Sequence, residues 1–439
     1  MAKKQICVLG AGLAGLSAAW HLQRKGIESL VFEKESQPGG LCRSKEAGGF
    51  IFDYDGHLLH FKDSYTYRLI TDSLCVPLIK HERSAWIYTS GVMSKYPFQA
   101  NLYGLPAAIA GECLLGFIAS QKKRKPVPSN PRNFLEWIHR TLGSGIAEHF
   151  MVPYNSKFWT VPPSELNCEW LDDFVPVPSL SDVVEGIVNR DPRSVPRLGY
   201  NSSFWYPRQG GIGQIPSAMA KSLPRVYTDS CVSHIDLKKR TIRLRSGRTI
   251  AYDYIISTVA LPELLRLVPD MPARARSMLG RLRWNSIFNI NLGIDRKAEC
   301  GKHWIYFAQK QIPFFRVGFA HNFSPELAPR GNGSLYVEIS YSRNKPLDKK
   351  KAVERSIAQL RSLKILNNKD RILCKDINDI KYGYPVYDRY HSAASEGITD
   401  FLRAHRILPA GRYGSWKYFS MENAIMDGKR AAAELMRVK

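Results

Sequence analysis

Aromatic, amide and guanidinium side chains recur in loop-like segments through the middle of this 439-residue chain. They are Tyr96, Gln99, Asn155, Phe158, Trp159, Tyr206, Arg316, Tyr384 and Tyr387. Aromatic rings stack on a sugar or a base, tyrosine and arginine bind a diphosphate, and amides hydrogen-bond hydroxyl groups. Together these residue types predict a chamber for a polyhydroxylated anionic small molecule. Each residue taken alone is equally typical of a core aromatic or a turn.

A strand–glycine–helix unit at the start of the sequence predicts a dinucleotide site. An apolar strand, the pattern G-x-G-x-x-G, a helix, a second apolar strand and Glu33 follow one another. Gly10 makes the tight turn, Gly12 lets backbone amides touch a pyrophosphate, and Gly15 lets the helix pack on the strand. Glu33 is spaced to accept a ribose hydroxyl. The predicted contacts also include Ala11, Leu13, Ala14 and Lys34.

A second glycine turn after Glu33 indicates which dinucleotide the site would bind. The stretch "ESQPGGLCRS" places Gly40 and Leu41 before Arg43, and "DYDGHLLHF" then contains Gly56 and His57. A second close backbone approach suits a long ligand such as FAD, and Arg43 could neutralise a phosphate or a ring carbonyl. The stretch resembles the FAD-binding signature of amine-oxidase-like flavoproteins. That resemblance implies FAD as the cofactor.

The segment "GRYGSWKYFSMENAIMDGKRAAAEL" reads as a strand exit, an aromatic pair and a helix. In the flavoproteins that it resembles, this last helix returns to the first βαβ unit, and its amino terminus faces the pyrimidine carbonyl of the flavin. Arg412, after Gly411, would then lie near the phosphate or ribityl chain, and Val232 would contact the adenine. The predicted helix-terminus contacts are Met421, Glu422, Asn423 and Ala424.

These signals predict an α/β chain with a Rossmann-like FAD-binding domain of the amine-oxidase or mutase type. We expect that domain to be discontinuous, at 1–75, 200–270 and 395–439. A mostly helical insert at 76–199 and a mixed sheet-and-helix insert at 271–394 lie between its parts. Inserts on such a fold usually build the substrate chamber over the cofactor.

Segments from the inserts resemble one particular group among these flavoproteins. "YPFQANL", "PYNSKFWTVPPSELNCEWL", "YPRQGGIG", "PFFRV…NFSP", "GYPVYD" and "GRYGSWKYFSMENA" occur in the same order as segments of flavin-dependent UDP-galactopyranose mutases. The similarity covers nearly the whole chain. It implies an isomerase in which the N5 atom of reduced flavin attacks the anomeric carbon, displaces UDP and holds the sugar while its ring opens and recloses. NAD(P)H is the possible reductant.

The resemblance also implies roles for individual residues. His57 would lie near the flavin N5 atom, and Arg316, Tyr384 and Tyr418 would hold the diphosphate. The residues expected to face the sugar or the nucleotide are Tyr96, Gln99, Asn155 and Trp159. The catalytic set implied by the resemblance is therefore His57, Arg316, Tyr384 and Tyr418.

One position departs from the mutase pattern. Family members with two diphosphate arginines carry one of them as W-L-x-x-R, but here "EWLDDF" places Phe174 there. An aromatic residue after two acids removes positive charge from the place where a diphosphate would need it. Arg208, Lys157 and Arg389 are the candidates to compensate.

Two other functional classes fit the same sequence. One is an FAD-dependent oxidoreductase of the amine oxidase or protoporphyrinogen oxidase type, which would remove hydride from a lipophilic or amine substrate. The other is an FAD-binding scaffold without catalysis, for which the chamber residues have no evident use. The sequence does not select the sugar, the base, the reductant or the oligomeric state.

Composition bears on partners and location. The chain has 63 Lys and Arg against 39 Asp and Glu, a net charge of +24, which favours an anionic partner. Its basic runs are scattered and match no nucleic-acid module, so no nucleic acid is expected. The eight cysteines have no zinc or disulfide spacing, and no metal is expected. We expect a cytoplasmic protein, with the apolar segment at 102–120 as a possible peripheral contact with a membrane.

Overall fold

The architecture is taken from a computed structural model, which describes residues 4–122, 131–171, 174–189, 202–299 and 301–437. Its strands are β1 (Ile6–Leu9), β2 (Ser29–Phe32), β3 (Ser44–Ala47), β4 (Phe50–Asp53), β5 (Leu78–Glu82), β6 (Ala85–Thr89), β7 (Val92–Lys95), β8 (Ser203–Pro207), β9 (Val226–Tyr227), β10 (Val232–Asp236), β11 (Thr241–Leu244), β12 (Thr249–Ala251), β13 (Tyr254–Ser257), β14 (Trp284–Ile294), β15 (Trp304–Phe307), β16 (Arg316–Gly318), β17 (Gly333–Tyr341), β18 (Ile372–Pro385) and β19 (Ile407–Pro409).

Helices cover the sheets and build a separate layer. They are α1 (Leu13–Gln23), α2 (Ser64–Arg68), α3 (Ala107–Lys122), α4 (Phe134–Ile146), α5 (Val152–Trp159), α6 (Leu180–Val188), α7 (Gln214–Lys221), α8 (Leu261–Arg266), α9 (Ala273–Leu279), α10 (Lys349–Ser362), α11 (His391–Ala404), α12 (Gly411–Gly414) and α13 (Met421–Arg437).

A five-stranded parallel sheet in the order β19-β13-β1-β2-β9 carries the nucleotide-binding half. All four residues of β1 are buried, as expected for a strand covered on both faces. β1 pairs in parallel with β2 on one side and with β13 on the other. The carboxyl ends of these strands therefore meet at one edge of the sheet, where ligands of such folds bind. This arrangement confirms the predicted Rossmann-like fold.

The last helix, α13, packs directly on the first, α1. A Cβ at Gly428 of α13 would lie 2.2 Å from the carbonyl oxygen of Ala14, so only glycine permits this approach. The hydroxyl of Ser17 donates to the carbonyl oxygen of Ile425 at 2.6 Å. The two ends of the sequence thus form one packed unit beside the parallel sheet.

A seven-stranded sheet in the order β18-β14-β17-β16-β15-β6-β7 forms the second half of the molecule. Its pairings are antiparallel except for the parallel pair β6 and β15. Strands from the first predicted insert (76–199) therefore lie in the same sheet as strands from the second (271–394). In β17 every residue but the last is buried, so this sheet is the core of that half.

A helical layer made of α3, α4, α5 and α6 lies beside this sheet. Phe117, Phe134 and Trp159 are fully buried in its core. On α3, the helix of the segment considered for membrane contact, Leu115 is 69% exposed. Among the residues that the structure describes, no helix combines the length and the apolar character needed to cross a bilayer.

Candidate active site

The first glycine turn is built for close backbone packing. Gly10 has φ +95°, a conformation that L side chains rarely adopt, and its N–H donates to the carbonyl oxygen of Phe32 at 2.8 Å. A Cβ at Gly15 would lie 2.0 Å from the carbonyl oxygen of Gly10, so α1 can begin directly behind the turn only because residue 15 is glycine. Thr258, after β13, donates its hydroxyl to the carbonyl oxygen of Leu9 at 3.0 Å and closes the other side.

The two glycine turns predicted from sequence pack against each other. A Cβ at Gly40 would lie 3.3 Å from Cα of Gly12, and the N–H of Gly39 donates to the carbonyl oxygen of Ala11 at 2.7 Å. Gly12 also caps the amino terminus of α1, whose first turn carries no acidic side chain. The glycines leave the backbone without side chains on both sides, and no acidic side chain offsets the positive end of the α1 dipole. Both features fit the pyrophosphate of a dinucleotide.

Glu33 holds the end of β2 together. Its carboxylate accepts from the N–H of Ala11 at 2.8 Å and from that of Glu35 at 3.0 Å, and the side chain is buried. The N–H of Ser230 donates to the carbonyl oxygen of Glu33 at 2.7 Å. The chain that enters β10 at Val232 therefore runs beside the predicted ribose acceptor.

Arg43 has an unused donor in this region. Its Nε is buried and has no hydrogen-bond partner among the described residues, while Nη1 lies 3.4 Å from Glu35 and the guanidinium carbon lies 4.8 Å from the ring centre of Tyr54. An orphaned guanidinium donor next to the glycine turns fits a phosphate or carbonyl oxygen of a bound flavin. Leu41 is partly buried against the cluster of Ile287, Phe315 and Ile380, whereas Lys34 is exposed and lies 3.5 Å from Glu35.

The amino terminus of α13 is capped by its own side chains. Ser420 and Asn423 bond reciprocally: Asn423 N–H donates to Ser420 Oγ at 3.1 Å, and Ser420 N–H donates to Asn423 Oδ1 at 3.0 Å. Ala424 N–H donates to the carbonyl oxygen of Ser420. These bonds use the amides of Asn423 and Ala424, so the amides of Met421 and Glu422 are the ones of the first turn that could face a ligand. The Glu422 carboxylate accepts from the main-chain N–H groups of Lys62 and Asp63, at 2.9 and 3.1 Å.

Gly411 and Arg412 begin α12 at the end of β19. Gly411 has φ +78°, and its N–H donates to the Asp427 carboxylate of α13 at 2.7 Å. Arg412 donates from Nε and Nη2 to the carbonyl oxygen of Phe419, at 2.9 and 2.5 Å. Its guanidinium carbon lies 5.1 Å from the ring centre of Tyr384. Arg412 therefore contacts both the segment that precedes α13 and Tyr384, which was predicted to line the chamber.

His57 lies in the loop after β4. Its Nδ1–H donates to the carbonyl oxygen of Asp55 at 3.1 Å, and the Asp55 carboxylate accepts from the N–H of Gly56 at 2.9 Å. Burial lowers the pKa of His57, and the charges of Arg412 and Arg316 lower it further, which keeps the imidazole neutral at physiological pH.

Arg316 lies directly opposite Glu338 in the register of β16 and β17. Its Nη2 donates to the Glu338 carboxylate at 2.7 Å, and its Nε donates to the other carboxylate oxygen. Glu338 is 0% exposed. This two-point ion pair fixes the guanidinium, because the fork of arginine matches a carboxylate at both oxygens.

Aromatic rings surround the guanidinium groups. The rings of Tyr384 and Tyr418 are 5.4 Å apart, and Trp159 lies 5.7 Å from Tyr418. Burial raises the pKa of both tyrosines, and Arg412 and Arg316 oppose that shift. The structure therefore brings together four residues that were widely separated in the sequence prediction: Arg316, Tyr384, Tyr418 and Trp159. The charge of Arg316 acts on both tyrosines and also on His57.

The remaining predicted ligand residues differ in what their polar groups do. The ring of Tyr96 lies 5.6 Å from that of Tyr306, and burial raises the pKa of Tyr96. Gln99 and Asn155 are buried, and the side-chain amide of each donates to a main-chain carbonyl oxygen. Gln99 donates to Pro176 at 2.6 Å, and Asn155 donates to Met151 at 2.7 Å. The Nε1 of the fully buried Trp159 has no partner among the described residues.

Sequence reasoning did not single out four residues of the site. Tyr306 and Tyr154 lie 5.5 Å apart, ring to ring, and line the chamber with Tyr96. Glu338 and Asp55 supply its buried acids. A signal for Glu338 was present, since it is an acid in the otherwise apolar strand "GSLYVEISY".

The three candidate cations proposed to compensate for Phe174 have different surroundings. Lys157 Nζ is buried and donates to four main-chain carbonyl oxygens, those of Phe307, Gln309, Ile312 and Phe314, at 2.6–3.2 Å. Its ammonium therefore holds the loop after β15. Arg208 is exposed, and the Arg389 guanidinium lies over the ring of Tyr390. Arg412 is the second guanidinium at the chamber.

A cleft with a volume of about 670 Å³ opens beside Tyr418, between α11 and α13. Trp170 and Phe174 form part of its wall, and the exposed Lys417 lies at its rim. The volume is that of a site for a small molecule. Within the described ranges, no cluster of His, Cys, Asp and Glu has the composition of a metal site.

Known proteins match this chain along nearly its whole length. The family model for flavin-containing amine oxidoreductases matches residues 13–436. The zeta-carotene-forming phytoene desaturase of Myxococcus xanthus is 22% identical over 404 residues, 78% of this chain and 73% of that protein. Protoporphyrinogen oxidase 2 of Arabidopsis thaliana is 22% identical over 243 residues, which is 50% of this chain and 47% of that protein.

Among solved structures, reduced UDP-galactopyranose mutase superposes with a TM-score of 0.93 at 29% identity. The match covers 100% of this chain and 95% of that one. The fold is therefore that of flavin amine oxidoreductases and of this mutase, as the sequence predicted, and the glycine cradle fits the flavin nucleotide that such proteins hold. The chain belongs to the family of flavin-containing amine oxidoreductases.

Proposed function

We propose that this protein is an FAD-dependent mutase that interconverts the pyranose and furanose forms of a nucleotide sugar, UDP-galactose or a related sugar. The observation that carries the proposal is the grouping of Tyr384 and Tyr418 near Arg316, whose charge also reaches His57. Similarity to the mutase over the full chain supports it. Bound reduced FAD supplies the electron-rich ring nitrogen that such an isomerisation needs.

The proposed roles follow from the chemistry of each group. Arg316 is held by Glu338 and presents its remaining donors to a diphosphate. The hydroxyls of Tyr384 and Tyr418 stay protonated because burial raises their pKa, so both can donate to phosphate oxygens. Stacked aromatic rings exclude water from the sugar, which protects an opened ring from side reactions.

Isomerisation without net redox change tests the proposal. FAD-loaded enzyme reduced with dithionite is incubated with UDP-galactofuranose, and the pyranose form is quantified by chromatography. We expect turnover by the reduced enzyme and none by the oxidised enzyme. A panel of UDP- and other nucleotide-linked furanoses that all remain unconverted by reduced, folded holoenzyme would contradict the proposal.

An oxidoreductase is the second candidate, and Phe174 is the observation that favours it. Its ring lies 4.7 Å from Tyr418, where an additional cation would serve a diphosphate. The two relatives named by sequence are a desaturase and an oxidase. Oxygen consumption or flavin bleaching with amine, porphyrinogen or polyene substrates, without reductant, would select this candidate.

A further inference from the structure

Two buried carboxyl groups, Asp55 and Glu338, touch each other beneath the loop that carries His57. Asp55 is 8% exposed and Glu338 is 0% exposed. Asn289 pairs with Glu338 in the register of β14 and β17, and its Nδ2 lies 3.5 Å from the Asp55 carboxylate, which places the two carboxyl groups within hydrogen-bonding contact. Because a carboxylate has no donor, two carboxyl groups make such a contact only if one of them carries a proton.

The charge balance leads to the same conclusion. Arg316 is the guanidinium that pairs with Glu338, so two ionised carboxylates would leave the trio of Arg316, Glu338 and Asp55 with one net negative charge. Like charges at contact distance in a medium of low dielectric are costly, and one of the pair then keeps its proton. Burial raises the pKa of Glu338 to about 8, with Asp55 raising it and Arg316 lowering it.

Asp55 also connects the pair to the predicted catalytic loop. Its carboxylate accepts from the N–H of Gly56 at 2.9 Å and lies 3.5 Å from Nδ2 of Asn289, and its carbonyl oxygen accepts from His57. The hydroxyl of Tyr336 is buried here without a partner among the described residues. The acid pair is therefore the link between Arg316 and the backbone that positions His57.

We propose that Asp55 and Glu338 share one proton and act as a positioning pair, which keeps the charge of Arg316 available to an anionic ligand and loses that effect when the proton leaves. The effect on ligand binding rests on the proposed function, whereas the shared proton does not.

Other titratable groups face the pair from each element around it. They are Asp53 on β4 and His57 after it, Cys42 before β3, Tyr154 on α5, Tyr306 on β15, Arg316 on β16, Tyr336 on β17, Tyr384 on β18, and Arg412 and Tyr413 on α12. Burial raises the pKa of Asp53 to about 6 and that of the Cys42 thiol to about 12. Burial also lowers the pKa of His57. Among these groups, the acid pair is the one whose pKa lies in the mildly alkaline range.

Infrared difference spectroscopy of FAD-loaded enzyme tests the shared proton directly. We expect the carbonyl stretch of a protonated carboxylic acid at neutral pH, its loss on alkaline titration, and its absence in Asp55→Asn. The matched control is Asp370→Asn, since Asp370 is also buried and paired with an arginine, Arg296, but lies outside the site. A wild-type spectrum without this band at neutral pH would overturn the inference, whether or not the variant folds.

Binding of UDP at different pH values tests the consequence. Between about pH 7 and about pH 9.5 the phosphates no longer titrate, and the uracil N3–H of UDP titrates alike in both experiments, so the difference between the two proteins reports on the acid pair. We expect the affinity of the wild type, measured by calorimetry, to fall about tenfold more over this range than that of Asp55→Asn. Parallel losses in both proteins would overturn the inference. Absence of UDP binding at every pH, with the infrared band present, would contradict the proposed function instead.

Discussion

Phe174 lies edge-on against Tyr418, with ring centres 4.7 Å apart and planes at 86°. Trp170 meets the same tyrosine from another side at 5.9 Å. The outer wall of the chamber is therefore aromatic and uncharged at this point. The guanidinium groups near Tyr418 are those of Arg316 and Arg412.

Restoring a cation at this wall should strengthen diphosphate binding. We expect Phe174→Arg to lower the Kd for UDP about tenfold, because it adds a guanidinium next to Tyr418 at the edge of the cleft. Quenching of flavin fluorescence measures the affinity. Phe174→Leu is the control for loss of the ring alone, and equal affinities of the arginine and leucine variants would count against a diphosphate at this position.

Removing Arg316 should destabilise the protein, and more so at alkaline pH. Arg316→Leu leaves Glu338 buried without its partner, which costs about 3–5 kcal/mol when the acid is ionised. Arg316 lowers the pKa of Glu338, which burial raises to about 8 in the native protein, so the acid of the variant keeps its proton to a higher pH and the extra cost of ionising it appears above about pH 8. Urea unfolding at several pH values checks this. The double variant Arg316→Leu/Glu338→Leu should recover most of the loss, and a pH-independent loss would contradict the explanation.

Gly12→Ala should separate folding from cofactor binding. Gly12 has φ −75°, which any residue adopts, and the nearest atom to an added Cβ is the Cα of Gly40 at 3.9 Å. We therefore expect a folded protein whose affinity for FAD falls about tenfold or more, because the methyl group occupies the predicted pyrophosphate approach. The measurement is the ratio of flavin to protein absorbance. Gly15→Ala, with its clash against Gly10, should fail to fold, and full FAD occupancy in Gly12→Ala would place the pyrophosphate elsewhere.

Stability should fall as the pH drops below the ordinary histidine range. His303 is buried, its Nδ1 accepts from the N–H of Ser84 at 2.9 Å, and burial lowers its pKa from 6.5 to about 4. The unfolded chain binds a proton at His303 below pH 6.5, whereas the native state does so only near 4, so stability is lost between these values. The slope per group is about 1.4 kcal/mol per pH unit.

The histidine prediction is tested by urea unfolding between these pH values. His303→Gln should flatten the acid limb of the stability curve, while the exposed His139, changed to Gln, should leave the limb unchanged. Burial also lowers the pKa of His60 to about 4, so part of the limb should remain in His303→Gln. A limb that is identical in all three proteins would contradict the assignment.

The cofactor half could be predicted from sequence because its signals are local. The spacing of Gly10, Gly12, Gly15 and Glu33 specifies a turn, a helix and a strand within one βαβ unit, and the structure has each of them. Short-range patterns of this kind need no knowledge of the rest of the chain.

The chamber could be predicted only in part because its contacts depend on sheet register. Arg316 was predicted, but its partner Glu338 became visible only when β16 and β17 were aligned opposite each other. Lys157 was considered as a ligand cation, yet the carbonyl groups that hold it come from a loop about 150 residues away. No sequence pattern encodes such a distant pairing.

The seven-stranded sheet joins β6 to β15, so residue 85 pairs with residue 304. Closing a loop of that length costs chain entropy before the pairing contributes any stability, and folds rich in such pairings form slowly. Tyr306, Arg316 and Tyr384 of the chamber belong to this sheet, so the ligand site should be among the last parts of the molecule to form. Expression at low temperature or with chaperones should accordingly improve the yield of active protein more than the yield of soluble protein.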